Sequence, residues 1–173
     1  MSICTRVVVC QDARTRQLKR VATENELNAF PFDAVLRERL REQCNRDLAL
    51  MLLLREKDRE VWLFDGYEDD LVTPIKTPAL GADKLNALIT QNAANGLVFD
   101  LAYFGDFEYG MEMLRALQKM GTLHSLTKLV VVSWFLHEQM HDFPRRLSDE
   151  FNVQPERLVY ALRAPIDHIE SLL

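Results

Sequence analysis

The chain has 173 residues, of which 48% are hydrophobic and 27% charged, with a formal net charge of −5. This ordinary globular composition argues against wholesale disorder and supplies enough apolar material for a core without disulfides or a structural metal. The acidic balance disfavours nucleic acid as a partner, because nucleic-acid binders concentrate basic surface.

The three cysteines, Cys4, Cys10 and Cys44, lack metal-ligand spacing and read as free thiols of a reducing compartment. No charged N-terminal stretch is followed by a long apolar one, so a signal peptide is not expected. The longest apolar runs, 48–54 and 129–136, fall short of the roughly 20 residues that a membrane span needs. A cytoplasmic protein is therefore expected. Basic residues gather at Arg14, Arg16, Lys19 and Arg20. Arg37, Arg39 and Arg41 alternate with acids, as on a solvated helix face.

In chain order, the β-branched run 7–10 reads as a strand, with 17–21 as a hairpin partner. Asp33 is placed to cap a helix whose Leu36, Leu40 and Cys44 repeat every four residues. The apolar runs 48–54 and 61–64 flank a charged connection and predict a second β-hairpin. An acidic loop follows, carrying Asp65, Glu68, Asp69 and Asp70. Pro74 and Pro78 then mark 71–80 as loop or edge strand. Asp83 predicts a helix over 84–92, with Leu85, Leu88 and Ile89 inward and Gly96 closing its exit.

Residues 97–101 read as a buried strand. Residues 110–120 are the clearest helix, striped by Met111, Leu114 and Leu117 and stopped by Gly121. The valine-rich 129–134 is a second buried strand, so strand, helix and strand predict a right-handed crossover with parallel strands. A helix is expected over 145–151. Residues 158–162 fit either a strand or a helix continuing from Pro155, and 166–173 a terminal helix. Trp62 and Trp134 each end an apolar strand and are expected in the core.

From Leu97 onward the chain resembles the receiver domain of two-component response regulators. The stretch Leu97-Val98-Phe99-Asp100 is an apolar strand ending in an acid. It is followed by the glycine-led Gly110-Met111-Glu112-Met113-Leu114-Arg115-Ala116-Leu117. Leu129-Val130-Val131-Val132-Ser133 ends in a hydroxyl residue, and Arg163-Ala164-Pro165 stands where the family places a lysine–proline pair. The resemblance implies that Asp100 occupies the phosphoacceptor position, Ser133 the hydroxyl position and Arg163 the lysine position, with Mg²⁺ as the family's cofactor. The chain departs from the pattern in its long proline-free loop 100–110, in Arg163, and in lacking an acid pair after its first strand. These departures imply a degenerate receiver-like domain that is not phosphorylated.

His137-Glu138-Gln139-Met140-His141 fits the zinc-hydrolase pattern in which two histidines four apart on a helix share Zn²⁺ and the glutamate activates water. Asp142 and Pro144 fit that pattern badly, and Glu150, Glu156 and His168 have no familiar third-ligand spacing. Residues 145–163 also carry helix-turn-helix character, with Arg157 and Arg163 available to DNA.

The expectation taken forward is a single α/β domain over 1–173, with an N-terminal elaboration over 1–60 bearing hairpin elements and a receiver-like core over 61–173 built on a mainly parallel sheet. Its function is signalling or regulatory, without catalysis or a cofactor, through a protein partner or a homodimer. The surface expected to serve it is the pair of loops 100–109 and 133–143, where Tyr103, Phe104, Phe107 and Tyr109 gather. A zinc-dependent hydrolase using His137, Glu138 and His141 is the first alternative. A helix-turn-helix DNA-binding regulator is the second.

Overall fold

The computed structural model describes residues 3–10, 49–64, 66, 75–101, 107–133, 143–151, 157–162 and 166–173. Five strands, β1 (Arg6–Cys10), β2 (Glu60–Phe64), β3 (Gly96–Asp100), β4 (Lys128–Ser133) and β5 (Leu158–Leu162), form one sheet in the order β2-β1-β3-β4-β5. Every pairing is parallel. The helices are α1 over the described residues 49–56, α2 (Pro78–Gln91), α3 (Phe107–Lys119), the single turn α4 (Thr122–Ser125), α5 (Phe143–Phe151) and α6 (Ile166–Leu172).

Alternation along the strands divides the core in two. Val8, Cys10, Leu97, Phe99, Leu129 and Val131 point to one face. There they join Leu85 and Ile89 of α2, Leu114 and Leu117 of α3, and Leu147 and Phe151 of α5. Val7, Val9, Val61, Val98, Val130 and Val132 point to the other, packed with Leu50 and Leu54 of α1 and Ile169 of α6. The result is a three-layer α/β/α arrangement. Both faces must be covered because a parallel sheet leaves neither to water, and each large apolar side chain so buried contributes about 2 kcal/mol. Among the described residues, no helix is long and apolar enough to cross a membrane.

The register is fixed at the amino edge by Asn95. Its amide donates to the Arg6 carbonyl at 2.9 Å, and its side-chain oxygen accepts from the Arg6 amide at 3.1 Å. Its own carbonyl accepts from the amides of Thr127 and Lys128 at 2.8 and 3.2 Å. One residue thus aligns the starts of β1, β3 and β4. Burial beside it pushes the Cys4 thiol above its ordinary range, against the opposing pull of Arg59 and Lys128.

The crossover β3-α3-β4 is as expected, with Met111, Met113, Leu114 and Leu117 buried. Gly121 stands at φ 79° just past the end of α3. The run 48–54 is not a hairpin strand, since 49–56 is helical and β2 pairs parallel with β1. Ala, Leu, Met, Arg and Glu are strong helix formers with no branching at Cβ, and Leu50 and Leu54 fall on one face. The helix expected over 84–92 begins at Pro78. Thr77 caps it, its hydroxyl accepting from the Leu80 amide at 3.4 Å, and Pro78 lacks only a donor that the first turn leaves unused. Segment 71–80 is therefore helical from 78. The helix exit turns at Ala93, φ 47°, and Gly96 opens β3 instead of closing the helix. The ambiguous run 158–162 is a strand, paired with β4, so the second helix of a helix-turn-helix is absent. The expected elements over 17–21 and 33–44 lie outside the described residues.

α3 packs so closely on the end of β3 that a Cβ on Gly110 would overlap the Leu101 carbonyl. That makes Gly110→Ala informative in sign. Alanine gains about 1 kcal/mol in helix propensity, whereas a clash against backbone costs more. Urea unfolding is expected to show a net loss of about 2 kcal/mol. Unchanged or increased stability would contradict the close approach.

Candidate functional site

In the order β2-β1-β3-β4-β5 the chain builds outward in both directions from the β1/β3 pair. The carboxyl ends of these two strands are therefore the topological switch point, the usual ligand position in open α/β sheets. Cys10 ends β1, Phe64 ends β2 and Asp100 ends β3. Cys10 pairs with Phe64 on one side and Phe99 on the other, so Asp100 projects one residue beyond the pairing.

Parallel register sets the rest of this edge. Asp100 lies opposite Val132, and Ser133, the next residue, lies opposite Leu162. Arg163 follows Leu162 in the chain but lies outside the described residues, so Asp100 and Ser133 are the two expected receiver-like positions brought to one edge. The Leu101 amide donates to the Val132 carbonyl at 2.9 Å, extending the ladder past Asp100.

Asp100 is the only acid among the described buried residues, at 3% exposure, and it is not without a partner there. A buried carboxylate must be satisfied locally, since the cost of burying it unpaired is large. Among the described residues, no group of three or more His, Cys, Asp or Glu is placed to hold a metal ion. Among the described strand ends, β3 finishes in Asp100, β1 in Cys10 and β2 in Phe64.

The aromatics of loop 100–109 divide. Tyr103 and Phe104 lie outside the described residues, and Phe107 is the first residue of α3. Tyr109, in the first turn of α3, is half-buried against the core, and its hydroxyl donates to the Ile75 carbonyl at 3.0 Å. Tyr109 is thus a packed, bonded residue and not an exposed anchor.

The zinc motif, His137, Glu138 and His141, lies outside the described residues, as do Asp65, Asp69, Asp70, Trp134 and Glu156. The other third-ligand candidates are described. Glu150 pairs with Arg115 at 2.5 Å, and His168 is exposed on α6. Glu150 and Glu108 together raise the Arg115 pKa, and the Arg115–Glu150 pair ties α3 to α5. Arg157, a DNA contact only on the helix-turn-helix alternative, donates to the carbonyls of His124, at 2.7 Å, and Leu126. It caps the turn before β4. Trp62 is half-buried against the core, as its strand position implied.

Compared with known proteins, the chain matches no family model, no curated protein and no solved structure.

Burial of Asp100 makes its removal diagnostic. An exposed acid kept for chemistry is usually replaced at little cost in stability, or with a gain. A buried acid leaves its partner unsatisfied when removed, costing about 1–3 kcal/mol. Denaturant unfolding of Asp100→Ala is expected to show a loss in that range, and a neutral or stabilising effect would contradict the buried, partnered state.

Proposed function

We propose that this chain is a receiver-like signalling or regulatory module that acts without catalysis, by binding a protein at the carboxyl edge of its sheet. The strand order supports this reading, because 2-1-3-4-5 is the doubly wound order that flavodoxins and receivers share. So does the distribution of helices, with α1 and α6 on one face and α2, α3 and α5 on the other. The register supports it further, since Asp100 and Ser133 end neighbouring strands at one edge.

The observation that weighs against phosphoryl capture is the 3% exposure of Asp100. A carboxylate that captures a phosphoryl group must reach its donor and be flanked by groups that neutralise the incoming oxygens. Asp100 is enclosed instead. What remains functional on this account is the edge surface formed by loops 100–109 and 133–143. A homodimer through the same surface is one form such binding takes.

Two experiments test the reading. Addition of Mg²⁺ and beryllofluoride, a phosphoryl mimic, is expected to leave the amide spectrum of 96–101 and 128–133 unchanged. A saturable shift that Asp100→Ala abolishes would restore phosphoryl capture. A photo-crosslinking phenylalanine analogue at Tyr103, activated in the native cell, is expected to give an adduct of discrete mass. The same analogue at the exposed His168, on α6, is expected to give none. Adducts from position 168 alone would move the working surface away from the carboxyl edge.

A further inference from the structure

α2 and α3 lie side by side on one face of the sheet and run in the same direction. Gly81 meets the Met113 side chain near their starts, and the Thr122 hydroxyl, beyond the end of α3, lies 2.6 Å from the side-chain oxygen of Asn86. Between their outer faces is a cleft of about 470 Å³, lined by Pro78, Ala79 and Ala116 together with Glu112, Arg115 and Lys119.

Residues four and seven apart share a helix face, so Glu112, Ala116 and Lys119 form one outward row on α3. Opposite charges end the row and a small residue lies between them. Glu112 and Lys119 are both exposed, and neither side chain is bonded to another described residue. Arg115 differs, because Glu108 and Glu150 already meet its charge within the chain. Two large apolar side chains beside the row are open to water, Leu80 in the first turn of α2 at 38% and Met120 just past α3 at 39%.

We propose that the outer face of α2 and α3 binds a second copy of this chain, with α3 packed antiparallel on α3 and Glu112 of each copy paired with Lys119 of the other. A surface that meets its own copy must be complementary to itself about a two-fold axis. This row has that property. Antiparallel packing centred between Arg115 and Ala116 sets each end of the row against the opposite charge, and Ala116 at the crossing lets the helices approach closely. The same rotation brings Met120 of each copy level with the first turns of α2 and α3 in the other, where Pro78 and Ala79 line the cleft. A second copy supplies the required order of charges by construction, which is why it is the occupant that fits. The face uses none of the carboxyl-edge loops, so the inference stands apart from the reading above.

Sedimentation velocity on the full chain, over a concentration series at low salt, is expected to show a monomer–dimer equilibrium. Glu112→Lys or Lys119→Glu alone sets like charges together twice in each dimer, and is expected to weaken association about tenfold. Both changes in one chain restore the pairs with their signs exchanged, so self-association is expected to return to that of the native chain. Mixing the two single variants is expected to give a heterodimer, since each supplies the charge that the other lacks. Both positions are exposed, and matching urea midpoints would show that the variants fold as the native chain does. Three outcomes would overturn the proposal: a native chain that stays monomeric, single variants that associate as the native chain does, or a double variant and a mixture that associate no better than the single variants.

Discussion

The structure depends on β3 having a parallel strand on each side and helices over both faces. All five of its residues are buried, and its pairing with β1 and β4 places it at the centre of the sheet. Parallel neighbours cannot be joined by tight turns, so each pairing requires a crossover, and each crossover helix buries an apolar stripe on the sheet. The two-sided core follows directly. So does the chemistry of the carboxyl edge, because parallel strands deliver all their carboxyl ends to one side. Asp100, Ser133 and the connections after β2 and β3 meet there for that reason alone.

Two arginines, Arg59 and Arg115, tie helical elements together in this framework. Arg59 reaches from the turn after α1 to the last turn of α6, donating to the Glu170 carbonyl at 3.2 Å and pairing with its carboxylate at 2.7 Å. That pair is mostly shielded from solvent, and cations at a helix C-terminus are favoured by the dipole. Arg115 bridges Glu108 and Glu150 in a more exposed setting, where ion pairs contribute little stability on their own. Its role is orientation of α5 on α3, assisted by Gln118, whose side-chain amide donates to the Phe151 carbonyl at 3.0 Å.

The central sheet was legible because valine-rich runs such as 7–9 and 129–132 have few alternatives to a buried strand. α3 was legible because Met111, Leu114 and Leu117 repeat at helical spacing between two glycines. The run 48–54 was not, since a continuous apolar stretch has no period to separate helix from strand, and only its unbranched composition favoured the helix. Pro78 misled because a proline at the first helical position looks like a breaker until the capping Thr77 is weighed. Residues 158–162 were ambiguous because pairing with β4, a long-range contact, decides their state. At the candidate site, the resemblance to receiver domains singled out Asp100 and Ser133, but the burial of Asp100 is a property of the assembled edge. The bond from Tyr109 to Ile75 spans 34 residues and leaves no local signal.

The account stands on parallel pairing at the end of β3, and that pairing has a direct spectroscopic signature. Scalar coupling across hydrogen bonds, measured by NMR on uniformly labelled protein, identifies the carbonyl to which each amide donates. The Leu101 amide is expected to couple to the Val132 carbonyl, as the 2.9 Å bond between them requires. Coupling of the Val132 carbonyl to the Leu136 amide would instead mark a helix running through 132–136, and would contradict both the sheet and the edge built on it.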